Sequence, residues 1–153
     1  MPLAYLNCGR TRVSDLSPLQ GMPLENLNVF HTSVSDLTVL KGMPLRDLTC
    51  SESRVADISP LKDMPLRSAV FYSTLVDDIS VLKGTSLTRI VLDIKKFHEA
   101  DEIVLRSLVQ LQTLGYNDTS TMRATDTLDC VPRACHPSRG RGKICREHDP
   151  IAA

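Results

Sequence analysis

The feature that most constrains this chain is a repeat. A P-L-x-x-L frame, or its near equivalent, recurs at Leu3, Leu24, Leu45, Leu66, Leu87 and Leu108, each step being 21 residues. Leu6, Leu27, Leu48, Ala69, Ile90 and Leu111 follow three positions later, and Cys8, Val29, Cys50, Phe71 and Leu92 two after those. Val13, Val34, Val55 and Val76 hold the next apolar slot, then Leu16, Leu37, Ile58 and Ile79, then Leu19, Leu40, Leu61 and Leu82. Apolar slots held in phase at this period mark a solenoid, in which each unit buries its apolar face only against its neighbours. One unit alone recovers less from burial than the ordering of its backbone costs.

The two halves of the unit have different rhythms. The first alternates with period two, as a short strand does, so Leu27 and Val29 point inward and Asn26, Asn28 and Phe30 outward. The second has a helical-turn signature. Ser17 and Ser59 precede Pro18 and Pro60, and Thr38 and Ser80 take the same place, which predicts an N-cap followed by proline at the first helical position. Gly21, Gly42 and Gly84 then stop the turn. The interval between cap and stop fits a single 3₁₀ turn.

An acidic column, Asp15, Asp36, Asp57 and Asp78, precedes the Leu/Ile slot. Each carboxylate has no second acid or glycine pattern beside it, so capping of loop N–H groups is favoured over calcium. A hydroxyl column, Thr11, Thr32, Ser53 and Thr74, is expected to satisfy loop backbone in the same way.

These units, with the wording S-D-L-[ST]-x-L-[KQ]-G-M-P-L, resemble bacterial leucine-rich repeats of the short, planctomycete type. The resemblance covers residues 2 to about 115 and departs from the common pattern in placing Thr or Ser where Asn is usual. It implies an α/β repeat fold: a solenoid with a parallel concave sheet and short 3₁₀ turns on the convex side. It also implies a place C-terminal to a Ser/Thr protein kinase domain, in the same or an upstream chain.

The pattern changes from residue 86. Glu99 to Leu108 reads as a longer helix with Ile103, Val104 and Leu108 on one face, followed by a strand through Leu111 to Leu114. Residues from about 86 to 115 therefore read as a C-terminal cap. The opposite end shows no cap, so the first coil is expected to meet a partner, a second copy of the chain or a missing upstream segment. Residues 116–153 lose the periodicity and gain Arg, Cys, His and Pro, as a disordered or out-of-frame tail would. Within them Cys130, Cys135, Cys145 and His148 lack the paired C-x2-C knuckles of a strong zinc site, and Arg139, Arg141, Lys143 and Arg146 have no interleaved aromatics.

Chemistry-bearing motifs are missing. The sequence has no P-loop, no G-x-S-x-G, no H-E-x-x-H and none of the protein-kinase signatures. His31, Glu52 and Asp47 on neighbouring strands imply neither nucleophile nor pocket. The expectation is a non-enzyme with no metal or cofactor. A net charge of zero argues against nucleic acid or a membrane as partner, and no apolar run is long enough to span a bilayer. The N-terminus lacks a signal-peptide pattern; Cys8 and Cys50, two coils apart, are too distant for a disulfide and read as small core hydrophobes, and the three tail thiols look like those of a reducing compartment, so a cytoplasmic location is expected.

What such a sheet does is bind. Its outward columns are Tyr5, Asn26, Asp47, Ser68 and Arg89; then Asn7, Asn28, Thr49, Val70 and Val91; then Gly9, Phe30, Ser51, Tyr72 and Asp93. Arg10, His31 and Glu52 flank them, as do Arg12 and Arg54. Tyr5, Phe30 and Tyr72 place half of the chain's six Phe and Tyr residues on one face, with arginines nearby, which is hot-spot material. The candidate protein-binding set is therefore Tyr5, Asn7, Asn26, Asn28, Phe30, His31, Asp47, Thr49, Glu52, Arg54, Tyr72 and Arg89, in a module of a larger signalling protein. The alternatives are a structural spacer and a zinc- or nucleic-acid-binding tail.

Overall fold

The computed structural model describes residues 3–93, 99–116 and 121–123. Six short strands, β1 (Tyr5–Asn7), β2 (Asn26–Asn28), β3 (Asp47–Thr49), β4 (Ser68–Val70), β5 (Arg89–Leu92) and β6 (Thr113–Tyr116), pair in parallel and in chain order. A seventh, β7 (Thr121–Arg123), adds antiparallel to β6, so the sheet runs past Gly115. Parallel neighbours need a crossover. Here it is a 3₁₀ turn at Ser17–Leu19, Thr38–Leu40, Ser59–Leu61 and Ser80–Leu82, and a full helix, α1 (Glu99–Ser107), after β5.

Register follows the apolar columns. Leu6, Leu27, Leu48, Ala69 and Ile90 stand opposite one another, and from Leu27 onward each is at most 2 % exposed. The valine, Leu/Ile and 3₁₀ leucine columns close the same continuous core. Backbone groups that fall outside the strands bond mostly to backbone of their own or the next coil, and the two polar columns satisfy others. The hydroxyls of Thr11, Thr32 and Thr74 donate to the carbonyls of Cys8, Val29 and Phe71 at 2.6–2.7 Å. The same oxygens of Thr11 and Thr74 accept the N–H of Val13 and Val76 at 3.4 Å.

The Asp column accepts loop N–H groups as expected, but the Ser and Thr residues at the turn starts do not cap. The cap positions are held by Leu16, Leu37, Ile58 and Ile79, which make no side-chain cap bond. Ser17, Thr38, Ser59 and Ser80 are the first residues of the turns, and their N–H groups donate to Asp15, Asp36, Asp57 and Asp78 at 2.7–2.8 Å. A carboxylate outcompetes a hydroxyl for an orphan N–H because it is charged. These bonds hold the carboxyls of Asp15, Asp36 and Asp78 below the usual carboxylate range.

The C-terminal cap also departs from the 21-residue frame. Leu114, not Leu111, stands opposite Ile90. A nine-residue α-helix occupies the place of a three-residue turn and lengthens the last coil. Leu111 accordingly takes the part of Leu87, and Leu108 sits just beyond α1, 3 % exposed. Ile103 faces solvent at 66 % exposure, while Val104 and Leu105 face the core. A helix that packs one narrow face against the Ser80–Leu82 turn has room for that pair but not for their neighbour.

Candidate protein interface

The parallel register places Tyr5, Asn26, Asp47, Ser68 and Arg89 in one column across five coils. Their side chains share the face opposite the core, since successive residues of a strand alternate sides. Tyr5, Asp47 and Arg89 are exposed, and Asn26 and Ser68 are half-buried.

The next column is largely committed to the fold. Asn7 and Asn28 accept the N–H of Gly9 and Phe30 through Oδ1, each at 2.9 Å. Gly9 is a glycine for a visible reason: a Cβ there would lie 3.1 Å from Asn7 Oδ1 and 3.4 Å from Asn28 Oδ1. Further along, Thr49 is half-buried, and Val70 and Val91 are buried at 8 % and 2 %. Asn7 and Asn28 thus hold the backbone rather than offering free amide oxygens.

The third column and the residue after it form the most structured part of the face. His31 Nδ1 lies 2.8 Å from Glu52 Oε2. Because a carboxylate only accepts, this contact puts the proton on Nδ1 and leaves Nε2 outward. The Tyr72 hydroxyl donates to the other oxygen of Glu52 at 3.4 Å. The Phe30 and His31 rings are 6.0 Å apart, and the Arg10 guanidinium sits 5.5 Å from the centre of the Phe30 ring, within cation–π range. A continuous strip, Arg10–Phe30–His31–Glu52–Tyr72, therefore crosses four consecutive coils.

Its backbone is strained. Arg10, His31, Glu52 and Ser73 occupy one column and all have positive φ, between 52° and 58°. For a residue with a Cβ this conformation costs roughly 1–2 kcal/mol. The ladder of backbone bonds holds it: Arg10, His31 and Glu52 donate their N–H to Phe30, Ser51 and Tyr72 carbonyls, and the Ser73 N–H donates to Asp93 Oδ2 at 2.7 Å.

Phe30, His31, Glu52 and Tyr72 are thus brought together, Tyr5, Asn26, Asp47 and Arg89 line up beside them, and Arg54 stands exposed just beyond. Arg10 was legible only as a flanking residue; its stacking on Phe30 depends on the loop conformation, which no glycine or asparagine announces. Among the described residues no group of three or more His, Cys, Asp and Glu side chains is placed to hold a metal ion, and no helix is long and apolar enough to cross a membrane. The Cys130, Cys135, Cys145 and His148 set and the Arg139–Arg146 patch lie outside the described residues.

No protein-family model and no curated protein matches the chain. Among solved structures, an internalin from Listeria monocytogenes is similar, with a TM-score of 0.60 and 27 % identity over 74 % of this chain. The fold is a leucine-rich-repeat solenoid. The match spans 34 % of the internalin, so this chain corresponds to about a third of that protein's length.

Proposed function

We propose that the chain is a non-catalytic protein-interaction module that binds through the concave face of its sheet. The observation that carries this reading is the Arg10–Phe30–His31–Glu52–Tyr72 strip. Aromatic and charged side chains are fixed in place before any partner arrives, on backbone held in a strained conformation, and such strain gathers at functional sites. Fixing the side chains in advance lowers the ordering cost of binding. The likeness to an internalin supports an interaction repeat over a catalytic domain.

The test uses a partner recovered by cross-linking to the full chain. Phe30→Ala with Tyr72→Ala is expected to weaken its binding more than about ten-fold, while the convex variant Lys41→Ala with Lys62→Ala leaves it unchanged. Indifference to the concave pair would favour a spacer. A reducing, cytoplasmic setting and a larger signalling protein that includes a kinase belong to the same proposal. The free thiols of Cys8 and Cys50 fit the first. Co-purification with a kinase domain tests the second.

A second reading is self-association through the first coil. Leu3 is 48 % exposed and Tyr5 60 %, and among the described residues β1 pairs on one side only. Sedimentation velocity across a concentration series tests it: a dimer dispersed by Leu3→Glu supports it, and a monomer throughout removes it.

A further inference from the structure

We infer that the concave face takes an acidic protein segment, an inference that rests on the concave-face reading above. The whole chain is neutral, but its charges are not evenly available. Three of the four carboxylates on this face and its rims already have partners. Glu25 pairs with Arg46 Nε at 3.4 Å, Glu52 takes His31 and Tyr72, and Asp93 takes the Ser73 N–H. Only Asp47 is unpartnered among the described residues.

The cations are left over. Arg12, Arg54, Arg67 and Arg89 are all exposed, and none makes an ion pair or side-chain hydrogen bond among the described residues. Arg10 is engaged only by the Phe30 ring. Their placement brackets the sheet. Arg12 and Arg54 stand in the loops past the C-terminal ends of β1 and β3, whereas Arg67 immediately precedes β4 and Arg89 opens β5. The balancing acids lie on the far side, where Asp15, Asp36, Asp57 and Asp78 are spent on the convex turns.

Guanidinium groups on both rims, with an aromatic strip between them, fit carboxylate side chains reaching out from a segment laid across the coils. A nucleic-acid strand fits less well. Phe30 lies between Arg10 and His31 rather than open for base stacking.

The test is fluorescence anisotropy of the full chain with a labelled glutamate–tyrosine random copolymer. Saturable, salt-sensitive binding is expected. Each of Arg12→Gln, Arg54→Gln, Arg67→Gln and Arg89→Gln should weaken it roughly two- to five-fold, and the four together more than about ten-fold. Because all four are exposed, an unchanged circular dichroism spectrum is expected to accompany the loss. The convex set Lys41→Gln, Lys62→Gln and Lys83→Gln should retain full affinity. Absence of binding, an equal response to a lysine–tyrosine copolymer, tighter binding of single-stranded DNA, or equal losses from the lysine set would each overturn the inference. A neutral or basic partner lost with Phe30→Ala and Tyr72→Ala but indifferent to the arginines would overturn it while leaving the concave-face reading intact.

Discussion

Coil four exchanges a large side chain for a small one in one slot and reverses the exchange in the next. Where the second and third coils carry Leu27 with Val29 and Leu48 with Cys50, the fourth carries Ala69 with Phe71. Ala69 is 0 % and Phe71 1 % exposed, and Ala69 in β4 and Phe71 just past its end belong to one core. The volume missing at Ala69 is therefore expected to be filled by the Phe71 ring. Phe71→Val alone opens a cavity and should cost about 2–4 kcal/mol. Ala69→Leu alone forces extra methyls against the ring and should cost about 1–3 kcal/mol. The double variant writes the pair of the second coil into the fourth and should lose less than the sum by at least about 1 kcal/mol, the signature of residues that share one space. Urea unfolding followed by circular dichroism measures all four corners of the cycle, compared at constant m. Losses that add within about 0.5 kcal/mol would refute the compensation, and the two substitutions would then be independent.

Other outcomes follow from single positions. Leu27→Ala, in a coil covered on both sides, should cost about 2–5 kcal/mol; Leu6→Ala, the same slot half-buried in β1, should cost clearly less in the same urea assay. Asp63 holds the place of Gly21, Gly42 and Gly84 with φ of 62°, so Asp63→Gly should stabilise by roughly 0.5–1 kcal/mol, read as a raised urea midpoint. Asp15, Asp36 and Asp78 have carboxyls lowered by the N–H and hydroxyl of the residue two ahead. Their contribution is complete above the unfolded carboxyl range and is lost as pH falls through the lowered values. Thermal stability should therefore drop below about pH 4, and replacing the three with Asn should flatten that part of the profile. Burial pushes the Cys50 thiol up, so it should resist a thiol reagent in the native chain, whereas half-buried Cys8 reacts, as peptide mapping would show.

Periodicity carried the fold because a solenoid solves the same packing problem in every coil. The slot of Leu27 tells the slot of Leu48, and the strand columns fall into register at the spacing the sequence prints. Legibility ended where the period did. At the C-terminal cap the helix that replaces a turn was still readable from Glu99, but extending the frame put Leu111 where Leu114 belongs and Ile103 on the buried side. The Asp column was rightly read as the acceptor of loop N–H groups, but Ser and Thr were wrongly given the N-cap as well, because spacing reports position and not which acceptor wins a shared N–H.

The strip from Arg10 to Tyr72 was half legible for a related reason. Alternation alone assigns Phe30 and Tyr72 to the outward face, but it is silent on the residue that follows each strand, where the chain must turn. Arg10, His31 and Glu52 stand there with positive φ, in a place where glycine or asparagine would be easier. The stacked coils can hold that conformation because backbone bonds from the neighbouring coil fix it, so the column is free to carry side chains chosen for something other than turning. Three different charged or titratable residues occupy it, and they connect through Phe30 and Tyr72 into one strip. A scaffold that enforces its own turns leaves its turn positions open to side chains of any kind, and Arg10, His31 and Glu52 differ from one another along the rim as freely as the outward residues of the strands do.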